Sequence, residues 1–395
     1  MRALSAELGW PQRRYRTLHV VGTNGKSSVT TMSAALLVAA GFETGACVSP
    51  HVRRWAERTR IGGAEIAPDA FAAAADRVAT AIAAIEPRFP EDERITQFEA
   101  AIAVSFVAFA GAGVDVAVVE AGLGGRLDAT NVIDSTATAL TSVGLDHVQF
   151  LGPTTAAIAG EKLAVLREGT TLVTGRLDPE IAALAEAVAA ERSAELIVAP
   201  ALPASALPER IVPFLARDAA VAVALAETVT GPLAEDAIAA ALASARLPGR
   251  AELLAGEPPW IADAAHNGAG AEALAEALPE LAAGRPVVAC LSLLADKDAA
   301  AIATALAPQI DRCVCTAAEP GPAMGRPGSR AMDADELARI VTAAGVSCEA
   351  VADPATAVAR TTELARACGG VALGAGSHYL LRHVWNARRA QSSCR

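Results

Sequence analysis

Thr17-Leu18-His19-Val20-Val21 runs straight into Gly22-Thr23-Asn24-Gly25-Lys26-Ser27-Ser28, and a helical pattern, Val29 to Ala40, follows at once. An apolar strand, a glycine-bearing turn and a helix start together make an anion site. The glycines let backbone N–H groups approach phosphate, and the helix N-terminus adds partial positive charge. Thr23, Asn24, Gly25, Lys26, Ser27 and Ser28 would line it, with Lys26 on the outer phosphates and the Ser27 hydroxyl toward Mg²⁺. The loop is shorter than the general G-x-x-x-x-G-K-[ST], because Val20 stands where the first glycine would be. An ordinary strand–turn–helix connection is the competing reading; the flanking strand and helix favour the phosphate loop.

Outward from this stretch, short apolar runs alternate with alanine-rich helical ones. Val114 to Glu120 and Thr136 to Val143 read as further strands, and Pro68 to Ile85 and Glu99 to Ala112 as helices. That alternation implies crossover connections and a mainly parallel sheet covered on both faces. A boundary is expected at Leu247-Pro248-Gly249-Arg250, after the helical run Leu233 to Ala245. Beyond it Trp260 to Ala264, Val287 to Leu291, Arg312 to Thr316, Ser347 to Val351 and Val371 to Ala375 read as strands. The expected fold is α/β in two domains: an N-terminal P-loop ATPase-type domain with a mainly parallel sheet, residues 1–246, and a smaller Rossmann-like C-terminal domain, residues 247–395.

Composition narrows the function classes. The 395 residues are 53% hydrophobic and 19% charged, as in globular proteins, and aromatics supply only 4%, so Ala, Val, Leu and Ile must build the core. A net charge of −11 argues against a nucleic-acid partner. Charged residues interrupt every long apolar stretch and Met1 to Trp10 lacks the apolar centre of a signal peptide, so no membrane partner and a cytoplasmic location are expected. Cys47, Cys290, Cys313, Cys315, Cys348, Cys368 and Cys394 form no C-x-x-C pair; on a strand Cys313 and Cys315 share a face, and they read as buried small hydrophobes rather than a redox or zinc site.

Glu120 closes an apolar strand at the edge where open α/β sheets bind ligands, a good place for a Mg²⁺ carboxylate, and His147 sits similarly after Thr141-Ser142-Val143. From the residues alone His147 is open to a structural as well as a metal-linked reading. Several segments then occur in order: Ser49-Pro50-His51 with Glu57-Arg58 and Arg60-Ile61; Thr96-Gln97-Phe98-Glu99; Glu120-Ala121-Gly122-Leu123-Gly124-Gly125-Arg126-Leu127-Asp128-Ala129-Thr130-Asn131; Thr141 to His147; Glu161-Lys162; Leu247 to Arg250; Asp263 to Asn267; and Asp296-Lys297-Asp298. With Gly-Thr-Asn-Gly-Lys-Ser, this series resembles the folylpolyglutamate synthase/dihydrofolate synthase branch of the Mur ligase superfamily, across both domains.

The resemblance implies an ATP- and Mg²⁺-dependent ligase that activates a carboxylate as an acyl phosphate and couples it to L-glutamate. It implies Ser49 as a metal-linked residue beside Ser27, Glu120 and His147. It implies Lys162 as a lysine that is often carbamylated, against the bland alternative of a solvated helix lysine. Arg250 and Asp263 would contact the nucleotide, with His266 beside the phosphates; Asp263 also ends a strand, where a ribose-binding acid is expected. Thr96, Gln97, Phe98 and Glu99, with Leu127, Asp128 and Ala129, would contact the acceptor. Asp296-Lys297-Asp298 reads equally as a nucleotide-side loop and as a turn with Asp298 capping a helix.

Two departures bear on the acceptor. Family members carry a further N-terminal segment with a pterin-contacting loop, whereas this chain begins at Met1-Arg2-Ala3-Leu4; and where the family has H-Q-x-x-N-A, this chain reads Pro213-Phe214-Leu215-Ala216-Arg217-Asp218-Ala219-Ala220. Asp218 falls on an asparagine that contacts ATP. The expected partners are small molecules, a folate- or pteroate-like carboxylate and L-glutamate, for a monomer. A ligase acting on a non-folate carboxylate and a non-ligating nucleotide-binding homologue are the alternatives.

Overall fold

The computed structural model describes residues 1–90, 92–320 and 329–393; Cys394 lies outside them. The chain forms two compact units, Met1–Ile211 with Leu215–Arg246, and Leu247–Arg395 with Val212–Phe214. Among the described residues no helix is long and apolar enough to cross a membrane.

In the first unit the strands are β1 (Arg16–Val21), β2 (Thr44–Cys47), β3 (Thr59–Ile61), β4 (Ala64–Glu65), β5 (Val116–Glu120), β6 (Ala137–Leu140), β7 (Thr171–Thr174) and β8 (Glu195–Val198). They form one sheet in the order β4-β3-β2-β5-β1-β6-β7-β8. From β2 to β8 every pairing is parallel, and β3 and β4 add an antiparallel edge. The central strands are buried almost throughout and mostly apolar because helices cover both faces. On one face Ile102, Phe106 and Phe109 of the helix Gln97–Ala112 pack with Ala117, Val119 and Ile133. Further along the same face, Val21 and Leu140 pack with Leu163, Leu166, Leu172 and Ala185.

β5 and β6 flank β1 on opposite sides. Connections leaving the carboxyl ends of these strands therefore diverge at β1 and open a crevice there, where such sheets bind ligands. Several boundaries differ from the sequence expectation for local reasons. β6 stops at Leu140 because Thr141 and Ser142 turn to hydrogen-bond the loop after β1. The first helix of the crossover begins at Lys26, immediately after Gly25, and not at Val29. The helix expected from Glu99 starts at Gln97, since Thr96 caps it.

The second unit has β9 (Glu252–Leu254), β10 (Trp260–Ala262), β11 (Val287–Leu291), β12 (Arg312–Cys315), β13 (Ser347–Ala350) and β14 (Val371–Ala375), ordered β13-β12-β11-β14-β10-β9. All pairings are parallel except that of β9 with β10. Trp260, fully buried, packs with Val288, Val314, Val358, Ala372 and Leu380 and carries much of the aromatic area of this core.

Candidate nucleotide and metal site

The loop after β1 is fixed by the end of β6. Asn24 N donates to Ser142 Oγ at 2.9 Å, and the Thr141 and Ser142 hydroxyls donate to Asn24 O at 2.5 and 3.0 Å. Gly144 N donates to Thr23 Oγ1 at 3.0 Å, and the Thr23 hydroxyl donates to Gly144 O at 3.2 Å. Gly25 takes φ +84° at the helix start, and a Cβ there would lie 2.4 Å from Asp218 Oδ1. Both the left-handed backbone and the close carboxylate demand glycine. Lys26 leads the helix Lys26–Ala39 and turns back over its own loop, with Nζ 3.0 Å from both Gly22 O and Thr23 O. Ser28 is buried.

At the end of β5 the Glu120 carboxylate is 2% exposed. It accepts the Ser27 hydroxyl at 2.9 Å through one oxygen and Ser49 N at 2.9 Å through the other. Ser27 Oγ is also 3.2 Å from Ser49 O. Hydroxyl, carbonyl and carboxylate oxygens are thus gathered at a helix start, a donor set suited to a hard cation such as Mg²⁺, so Ser27, Ser49 and Glu120 fit that ion. His147 caps the short helix Val148–Leu151 with φ +52°, a left-handed conformation uncommon for a residue with a side chain. Its Nδ1 lies 3.6 Å from Asp146 Oδ1.

Lys162 belongs to the helix Thr155–Leu163 and is 4% exposed. Its Nζ donates to Gly22 O at 2.7 Å, the oxygen that Lys26 also contacts. Burial first, and the neighbouring Lys26 charge second, bring its pKa down from 10.5 to about 7, although Asp146 and Asp128 pull the other way. The reading of Lys162 as a solvated lysine is therefore set aside.

The acceptor-side residues divide. Phe98 reaches the loop after β5, where a Cβ on Gly122 would lie 2.4 Å from its ring tip, so only glycine allows that approach. The Arg58 guanidinium stands 6.0 Å from the Phe98 ring centre and 4.9 Å from that of Trp55, and donates to His51 Nδ1 at 2.9 Å. Gln97 opens the helix, while Thr96 and Glu99 form its capping box. Asp128 is tied into its own loop, accepting Leu123 N, Thr130 N and the Thr130 hydroxyl; Thr130 Oγ1 in turn meets His19 Nε2 at 2.8 Å inside β1. Ala129 sits in the core, and Leu127 is 92% exposed.

In the second unit Asp263 follows β10 and is buried, accepting Ala251 N at 2.7 Å and Ala265 N at 2.8 Å. Burial raises its pKa while the nearby Arg250 charge opposes the rise. His266 Nδ1 is 2.8 Å from Ala264 O; a carbonyl only accepts, so Nδ1 carries the hydrogen. The His266 ring lies 6.2 Å from that of His378, which is partly buried and held well below its ordinary pKa by desolvation and then by Arg250. Asp298 caps the helix Ala299–Leu306, accepting Ala301 N, which favours the capping reading of that turn. Sequence reasoning included Ser142 and Asp146 only within the Thr141 to His147 segment and gave neither a role. Their signal was position: both follow β6 at the sheet edge where the phosphate loop lies.

A parallel sheet ending in a phosphate loop, with a buried acid and a buried lysine beside that loop, makes a site for a nucleoside triphosphate and its metal ion. Residues 249–378 match the family described as Mur ligase, glutamate ligase domain. The dihydrofolate synthase/folylpolyglutamate synthase of Mycobacterium tuberculosis is 36% identical over 353 residues, covering 80% of this chain and 72% of that one. The solved Mycobacterium tuberculosis folylpolyglutamate synthase complexed with ADP and AMPPCP superposes with a TM-score of 0.90 at 31% identity, covering 98% of this chain and 94% of that one. A bifunctional folylpolyglutamate synthase/dihydrofolate synthase with Mn, AMPPNP and L-glutamate bound gives 0.81 at 30% identity, covering 97% and 92%. The chain belongs to the folylpolyglutamate synthase/dihydrofolate synthase family, the one its ordered motifs resemble.

Two outcomes are expected. Asp218 sets a carboxylate against Gly25 of a loop built for phosphate, so Asp218→Asn should lower the KM for MgATP roughly five- to tenfold, about 1–1.4 kcal/mol; steady-state kinetics giving an equal or higher KM would contradict this. Lys162 takes up a proton on unfolding between about pH 7 and its ordinary 10.5, so its contribution makes the fold more stable as pH rises through that window. Lys162→Met should remove a slope of at most about 1.4 kcal/mol per pH unit, read from urea unfolding in CO₂-free buffer. An unchanged slope would mean that the amine titrates normally.

Proposed function

We propose that this chain joins L-glutamate to the carboxylate of a folate or dihydropteroate, releasing ADP and phosphate. The observation that carries the reading is the buried Glu120 carboxylate holding Ser27 and Ser49 at the phosphate loop, in a chain of this family. In the proposed reaction an acceptor carboxylate oxygen attacks the γ-phosphorus of ATP; the bond to ADP breaks and an acyl phosphate forms. The amine of glutamate attacks its carbonyl carbon, phosphate leaves with the bonding pair, and the nitrogen sheds a proton. Phosphoryl transfer needs mainly positioning and charge neutralisation. Lys26 would swing from its own loop carbonyls to the outer phosphate oxygens, and the loop amides would hold the inner ones. Mg²⁺, held by Ser27, Glu120 and the Ser49 segment with His147, would supply further positive charge when bound. Arg250, Asp263 and His266 are assigned to the nucleotide. A monomeric state and a cytoplasmic location belong to the same proposal.

Lys162 is proposed to carry a carbamate, since a buried amine with a pKa of about 7 is neutral in about half of the molecules near pH 7, and the neutral amine is the form that adds to CO₂. The nitrogen bonds to the carbon of CO₂ and loses a proton, turning a cation into a carboxylate. Intact mass in bicarbonate buffer should show a gain of one CO₂ that Lys162→Ala lacks; an unmodified mass together with an active Lys162→Ala enzyme would remove the carbamate. For the whole reaction, ADP release should require glutamate and be greatest with dihydropteroate or a reduced folate, and Lys26→Ala should be folded and inactive. Turnover confined to a pterin-free acid would move the chain to another acceptor. AMP and pyrophosphate as products would overturn the acyl-phosphate route.

A further inference from the structure

Three cysteines of the second unit gather on one face of its sheet, away from the residues assigned above. Cys313 and Cys315 alternate along β12, so they share a face, and Cys348 stands opposite Cys313 in the parallel pairing with β13. Cys315 Sγ is 3.3 Å from Cys348 Sγ and 3.7 Å from Cys313 Sγ, and all three sulfurs lie within 4.8 Å of one another. Cys290 pairs with Val314 and so faces the other side. Cys313 and Cys315 are buried, whereas Cys348, on the edge strand, is half-buried.

We propose that Cys313, Cys315 and Cys348 form a binding site for one thiophilic d¹⁰ cation, Zn²⁺. Tetrahedral Zn²⁺ takes thiolates at about 2.3 Å, which sets neighbouring sulfurs about 3.8 Å apart. The spacings of 3.3 and 3.7 Å lie just below that edge, and the third is no more than 4.8 Å, so small side-chain adjustments would bring the three sulfurs onto one ion. Soft thiolates select such a cation over Mg²⁺, so the site does not compete for the ion of the phosphate loop. The half-buried Cys348 gives an entry path, and solvent on that side completes the fourth position. Binding forms three metal–sulfur bonds and releases three thiol protons, with no change of oxidation state. It joins the edge strand β13 to β12 through side chains as well as the backbone ladder.

The test uses the full chain, reduced and stripped of metal. Co²⁺ should raise a sulfur-to-metal charge-transfer band in the near ultraviolet that saturates at one ion per chain and collapses on adding Zn²⁺. An oxygen-rich site cannot produce that band. Cys348→Ser should lose it while keeping the wild-type far-ultraviolet circular dichroism and rate of ADP release. In the wild-type chain, with no variant needed, Zn²⁺ should protect Cys348 from maleimide labelling and a chelator should restore labelling, read by peptide mass spectrometry. Absence of the band in the wild-type chain, its persistence in Cys348→Ser, or labelling indifferent to Zn²⁺ would overturn the site. So would a chain that takes up no metal and carries a Cys315–Cys348 disulfide when purified without reductant.

Discussion

Two lysine side chains, Lys26 and Lys162, place their amines on the same backbone oxygen, that of Gly22. Two full ammonium charges so close together, with one almost wholly buried, repel each other strongly in a medium of low dielectric. Burial first, and the Lys26 charge second, bring Lys162 down to about 7. Lys26 is thereby left as the cation of the loop, while Lys162 is only about half protonated near pH 7. The same carbonyl also ties the helix Thr155–Leu163 to β1, so the chemistry of the loop and the packing of the unit share one anchor.

That anchor works because of where β1 lies. With β5 on one side and β6 on the other, the phosphate loop, the Glu120 carboxylate and the Thr141–Gly144 segment all emerge at one edge of the sheet. Rigidity comes from beneath. Asp128 gathers the loop after β5 onto its own oxygens, and Thr130 fastens that loop to His19 within β1. His19 is brought down to about 3 by burial and then by Arg167, so it serves as a neutral hydrogen-bonding group and adds no third positive charge near the two lysines.

The strongly apolar strands were legible because a sheet covered on both faces requires continuous hydrophobic runs, as in Val116–Glu120 and Val287–Leu291. The phosphate loop was legible because its turn residues and its flanks agreed. Less legible were the short edge strands β3, β4 and β9, which are only partly buried and carry no periodicity long enough to read. Thr96 and Glu99 illustrate a different limit. A Thr-x-x-Glu spacing has one local meaning, a helix cap, which the structure realises in full, and a second meaning that rests on family position alone. The three-thiol cluster was half visible: the spacing of Cys313 and Cys315 put them on one face, but Cys348 joins them only through a strand pairing that no local pattern announces.

On the acceptor side the geometry argues for a flat, partly apolar partner. The Arg58 guanidinium is held by His51 and stands near the rings of Trp55 and Phe98, so its charge is oriented and partly desolvated before any ligand arrives. The loop carrying Leu127 packs at Gly124 against Leu151, in the segment that also presents Leu145 and Phe150 to solvent. An apolar side chain left exposed singly needs no explanation, but several on adjoining loops beside a buried acid and a phosphate loop amount to a surface awaiting cover. In the proposed reaction a ring system carrying a carboxylate would satisfy both halves at once, its apolar face on Leu127 and Phe150 and its acid end toward the Lys26 loop. In the proposed reaction, selectivity for the acceptor would then rest on these exposed side chains more than on Thr96, Glu99 or Asp128, whose hydrogen bonds are already committed to holding the unit together.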